Sequence, residues 1–145
     1  MRPNLNYYVQ AINDIVNDTE KIGGEMNPSY EIIRNGIDND QLSDLTTEEL
    51  SQIINQFETG TSSYEAMLEK VKTLRPPAKV MGIHKKFEKA YMNYVEGCQE
   101  MIQSINPDEA TVNIEGFDQA EQKQDEASDV IVFSIERMTK ILLNR

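Results

Sequence analysis

The sequence predicts an all-α protein, an antiparallel up-down-up-down four-helix bundle filling residues 1–145 as a single domain. Apolar residues recur at steps of three and four along nearly the whole chain. No stretch alternates strictly enough to suggest a strand. The connections are short, which favours antiparallel neighbours. The chain is 145 residues long and 39% hydrophobic, enough for one core and too apolar for a disordered segment.

The first helix is expected over about residues 4–37. Leu5, Tyr8, Val9, Ile12, Ile15, Val16, Ile22, Met26, Ile33 and Ile37 make its stripe, and Pro3 suits a first turn. Gly23, Gly24 and Pro28 predict a kink or brief interruption near 23–28. A polar link runs from Asp38 to Leu45. Thr46-Thr47-Glu48-Glu49 then reads as a capping box opening helix two. That helix carries Leu50, Ile53, Ile54, Phe57, Tyr64, Met67, Leu68, Val71 and Leu74. Thr59-Gly60-Thr61-Ser62-Ser63 in its middle is read as a weak point, because hydroxyl side chains compete for backbone bonds.

Arg75-Pro76-Pro77 ends helix two and starts helix three. The third stripe runs through Val80, Ile83, His84, Phe87, Ala90, Tyr91, Tyr94, Val95, Cys98, Met101, Ile102 and Ile105. Asn106-Pro107-Asp108-Glu109 closes it and is a candidate cap for helix four. The start of helix four is not defined by the mediocre helix formers Thr111, Val112, Ile114 and Gly116. From Phe117 onward the stripe is plain, through Ala120, Gln124, Ala127, Ile131, Ile135, Met138, Ile141 and Leu142.

Charge is distributed unevenly. The chain carries 14 Lys and Arg against 25 Asp and Glu, a net −11. That disfavours non-specific nucleic-acid binding, which needs an excess of cations. Lys70–Lys89 alone holds seven cations and one anion, whereas Asp108–Asp129 holds eight acids and one lysine. In an up-and-down bundle the acidic connections share one end. The basic window then lies at the other, near Arg2, Lys140 and Arg145. Acids at helix starts suit the macrodipole, but Lys79, Lys85, Lys86 and Lys89 at the start of helix three do not. They are therefore the candidate partner-binding residues, docking an acidic protein or an anionic polymer. A lysine face paired with acids on neighbouring helices is the plainer alternative.

Ala120, Gln124 and Ala127 are the candidate ligand-groove residues, since small and polar side chains there leave room in the core. A closer helix approach explains them equally. No cofactor, metal site or catalytic residue is expected. His84, the only histidine, lies on an apolar stripe and reads as a hydrogen-bonded core residue, with Glu88 as a candidate partner. Cys98 sits mid-stripe and reads as a small buried hydrophobe; alone, it excludes an internal disulfide. Asp38, Asp40 and Glu49 match three calcium-loop positions, but Leu42 and Ser43 occupy places that need a ligand and a glycine. The tyrosines, six against four phenylalanines, are expected to pack with their hydroxyls at the core edge. Phosphate-loop, nucleophile-elbow and zinc-protease patterns do not occur.

Leu74-Arg75-Pro76-Pro77, with His84 seven residues on and then Phe87, Tyr91 and Tyr94, resembles uncharacterised small helical-bundle proteins of Gram-positive bacteria over Leu74–Met101. Some of these are secreted as lipoproteins. The resemblance implies a helical bundle and carries over no catalytic residue. The start of this chain shows no basic and apolar leader and no lipid-accepting cysteine, so a cytoplasmic location is expected, or an extracytoplasmic one if a leader is removed. The functional expectation is a non-enzymatic interaction or binding module whose basic end docks its partner. A small-ligand-binding bundle and a self-associating structural protein, a homo-oligomer, are the alternatives. No membrane span and no nucleic-acid partner are expected.

Overall fold

A computed structural model describes residues 4–143. The chain forms four helices, α1 (Leu5–Asp38), α2 (Thr47–Thr73), α3 (Met81–Gln103) and α4 (Ile114–Leu143). Between the last two lie two short strands, β1 (Ile105–Asn106) and β2 (Thr111–Val112). The helices run up-down-up-down. Tyr8, near the start of α1, meets His84 at the start of α3 and Met138 near the end of α4. At the other end Arg34, late in α1, reaches Asp118 early in α4. No described helix is long and apolar enough to cross a membrane.

Helix α1 runs without a break through residues 23–28, so the expected interruption is absent. Pro28 removes the hydrogen bond to the Gly24 carbonyl. Gly24 is exposed and has open space around it, so water can take up that carbonyl. Asn4 caps the helix, its side chain accepting from the Tyr7 N–H at 3.0 Å.

Helix α2 opens with the expected capping box. The Thr46 hydroxyl accepts from the Glu49 N–H at 3.0 Å, and the Glu49 carboxylate accepts from the Thr46 N–H at 3.1 Å. Its middle is not a weak point. Gly60 and Thr61 are buried, and a Cβ on Gly60 would run into the Met26 side chain of α1. Glycine is there because the two helices press together.

Helix α3 ends at Gln103, before Ile105, which belongs to β1. The expectation of no strand is thus corrected by a small antiparallel hairpin pairing Ile105 with Val112 and Asn106 with Thr111. The Asn106 side chain accepts from the Glu109 N–H at 3.2 Å, so it shapes the hairpin turn rather than capping α4. Ala110 closes that turn at φ 55°, in the left-handed region. Asn113 starts α4: its side chain accepts from the Gly116 N–H at 3.0 Å and its carbonyl from the Phe117 N–H at 2.9 Å.

The core has two parts. One, from Tyr8 through Tyr64, Phe87 and Tyr91 to Met138, fills the middle and the end where α3 begins. The other, around Ile33, Leu50, Phe57, Met101 and Phe117, fills the end where α4 begins.

Candidate functional site

Neighbouring helices approach unequally. Helix α4 packs most tightly on α3, whereas the backbones of α1 and α4 stand apart. The tight seam is built from small residues. A Cβ on Gly97 of α3 would lie 2.8 Å from Gln124 Cγ and 3.3 Å from both the Ala120 carbonyl and the Gln124 nitrogen. Ala120 is wholly buried in this contact. Outside it, Lys123 bridges to Glu96 and Glu100, both at 3.2 Å.

Long side chains span the wide seam at its two ends. At one end the Tyr8 hydroxyl lies 2.7 Å from His84 Nδ1 and 3.1 Å from Met138 Sδ. His84 Nε2 stands 3.2 Å from the Val71 carbonyl, an acceptor only. Nε2 therefore carries the proton, and Nδ1 accepts from Tyr8. Burial holds the His84 pKa below its ordinary 6.5, against weaker opposing pulls from the Val71 carbonyl and the Glu88 charge. At the other end Tyr30 stacks on Phe117 and hydrogen-bonds Glu121. Arg34 lies over the Phe117 ring and pairs with Asp118 at 2.7 Å and Glu121 at 3.4 Å.

Between these bridges the seam holds two adjoining cavities of about 270 and 400 Å³, both walled by Gly23, Tyr64 and Tyr94. The smaller is lined by Tyr30, Phe57, Thr61 and Cys98, with Gln124, Glu121 and Asp125 from α4. The larger continues toward Phe87 and Tyr91 between Ile15 and Val16 of α1 and Ile131 and Ile135 of α4.

The floor carries an unusual polarity. Tyr64 is 0% exposed and Thr61 4% exposed; Thr61 lies against the Cys98 thiol, and Tyr64 Oη has no hydrogen bond of good geometry among the described residues. The Tyr94 ring stands edge-on to Tyr64 at 88°, near enough for the two dipoles to interact but without a bond of good geometry. Burial, then Tyr94, raises the Tyr64 pKa well above that of a free phenol, so the group stays a neutral donor. Tyr91 differs, its hydroxyl meeting that of Thr19 at 2.7 Å. Cys98 is buried, and burial, against a weaker pull from the Thr61 hydrogen bond, lifts its thiol to about 12, so it is held as the neutral thiol.

The residues singled out in the sequence scatter around this groove. Gln124 lines it; Ala120 sits in the closed α3–α4 contact. Ala127 lines a separate cleft between α3 and α4 with Lys86 and Lys89. Lys79 lies in the single turn before α3, and Lys85, Lys86 and Lys89 in its first turns. All four are exposed, as in the solvated face of the plainer expectation, and none has an ion pair among the described residues. Arg2 and Arg145 lie outside the described residues. His84 bonds to Tyr8 and Val71 rather than to Glu88. Glu49, matched to a calcium loop in sequence, is committed to the α2 cap.

Sequence reasoning misses Thr61, Tyr64 and Tyr94 as groove residues. Their signal is a hydroxyl and a glycine interrupting a helical stripe, opposite a second glycine at Gly23. No family model, no curated protein and no solved structure matches this chain.

Proposed function

We propose that this protein is a non-enzymatic binding module that holds a small organic ligand in the groove between α1 and α4. The observation that carries this reading is the open cavity itself, walled by Tyr30, Tyr64 and Tyr94 with Thr61 and Gln124, and with the Tyr64 hydroxyl buried just behind its wall without a hydrogen bond of good geometry among the described residues. A buried polar group without a partner costs about 1–3 kcal/mol. A ligand that supplies the missing hydrogen bond recovers that cost as affinity. Binding rather than catalysis fits the groups at hand, because the single histidine is held by two hydrogen bonds and the single thiol is neutral.

The test is a thermal-shift screen of small metabolites against the wild type and Gly23→Leu. Gly23 walls both cavities, and a Cβ there meets only Tyr64 Oη, at 3.4 Å, so a leucine fills the groove from an intact helix. Compounds that raise the melting temperature of the wild type and not of Gly23→Leu support the reading. Compounds acting equally on both proteins, or none acting at all, overturn it.

A second reading rests on a different observation. Lys79, Lys85, Lys86 and Lys89 are exposed cations at a helix start, without acidic partners among the described residues. They supply a docking surface for an acidic protein or anionic polymer, drawn in by long-range attraction. Reversing all four to Glu should remove a salt-sensitive partner; a partner captured equally by both proteins, or insensitive to salt, excludes this surface.

A further inference from the structure

Building on the groove reading, we infer that the ligand is an organic ammonium cation with an apolar body, its charged head in the smaller cavity beside Asp125 and its body along the larger one.

The charges lining the groove have one sign. Glu121 and Asp125 border the smaller cavity, Glu20 and Glu136 the larger, and no Lys, Arg or His lines either. A carboxylate or phosphate ligand would meet four acids and no cation. Glu121 is partly answered by Arg34 and Tyr30. Asp125 has no ion pair among the described residues. Asp125 is exposed at the cavity rim; desolvation, then the charges of Glu121 and Asp129, raise its pKa above the ordinary carboxylate value.

The uncharged wall points the same way. Tyr30, Phe57, Tyr64 and Tyr94 surround the smaller cavity, and aromatic faces attract ammonium groups electrostatically. An ammonium group donates up to three hydrogen bonds, and the Glu121 and Asp125 carboxylates at the cavity wall are acceptors for them. The larger cavity, lined by Ile15, Val16, Phe87, Ile131 and Ile135, offers an aliphatic or aromatic body an apolar surface. Charge, aromatic surface and acceptors thus converge at one end, and apolar surface at the other.

The experiment compares three probes of equal chain length, hexylammonium, hexanol and hexanoate, by calorimetry at physiological salt. The proteins are wild type, Asp125→Asn and Gly23→Leu, and tyrosine ring NMR shifts locate each probe. Hexylammonium is expected to bind about two- to fivefold more tightly than hexanol, the worth of one ion pair at an exposed carboxylate, and hexanoate not to bind. Asp125→Asn should erase that advantage, leaving hexylammonium and hexanol of similar affinity. Gly23→Leu should abolish binding of both, with the Tyr64 and Tyr94 shifts. Hexanoate equal to hexylammonium, or an ammonium preference unchanged in Asp125→Asn, overturns the cation assignment; if Gly23→Leu still abolishes binding, the groove reading survives it. Ammonium binding that persists in Gly23→Leu marks a general attraction to an acidic protein and overturns both. No binding of any probe to the wild type also overturns the assignment, and the metabolite screen judges the groove separately.

Discussion

The two seams of α4 make an instructive pair. On the α3 side Gly97 and Ala120 bring backbones together, and at that point no room is left for a methyl group, although a cleft opens further along at Ala127. On the α1 side large aromatic residues hold the helices apart, and cavities remain between the bridges. Small residues therefore mark the closed face, and large ones with polar tips mark the open face. A tyrosine props a seam because its ring fills space while its hydroxyl is costly to bury without a partner.

Removing a bridge should disturb the wide seam most. Phe117→Ala should cost about 3–5 kcal/mol, since the ring is fully buried against Tyr30 and under Arg34. Chemical denaturation measures it, and a loss below about 1 kcal/mol would mean the seam is held elsewhere. Gly97→Ala should lose about 1–3 kcal/mol by overpacking against the α4 backbone, which cannot step aside as a side chain can.

The bridge at the other end responds to pH. His84 has a lower pKa folded than unfolded, so below about 6.5 the unfolded chain takes up the proton first. Stability should then fall with decreasing pH, by at most about 1.4 kcal/mol per unit, until the folded pKa is reached. His84→Gln should flatten that part of the denaturation profile; an unchanged slope between about pH 6.5 and 5.5 would assign it to other groups. The smallest effects are expected at the open seam. Gly23→Ala, the same change as at Gly97, should stabilise by up to about 1 kcal/mol through helix propensity. Tyr64→Phe should be neutral or stabilising by about 1 kcal/mol, because it deletes an unpaired buried hydroxyl. A clear destabilisation by either variant would show that the groove is as closed as its counterpart.

Local chemistry is legible in the sequence. The Thr46–Glu49 box, the Pro76-Pro77 stop and the four stripes each depend on residues a few positions apart; the box and the stop appear where expected, while α3 opens only at Met81 and closes before Ile105. The up-and-down topology comes from short connections, and the burial of His84 and Cys98 from their stripes. The hairpin is not legible, because its two-residue strands are too short for alternation and rest on pairing across a turn. Nor is the sense of the glycines. Gly60 and Gly97 look like weakened helix in one dimension and are contact points in three. A stripe says which side chains face inward, but not which pair of helices closes over them. For that reason the sequence points to a groove at Ala120, Gln124 and Ala127, and of the three only Gln124 lines it.

The position of Cys98 has a practical consequence. It is the only thiol in the chain, and it lies in the wall of the smaller cavity beside Tyr64 and Tyr94. With its pKa near 12 it is silent while covered, so its alkylation rate counts the moments when the seam parts. The molecule carries its own gauge of breathing at the groove, readable by mass spectrometry in the unaltered protein. An occupant of the groove should slow that clock, and a denaturant should speed it.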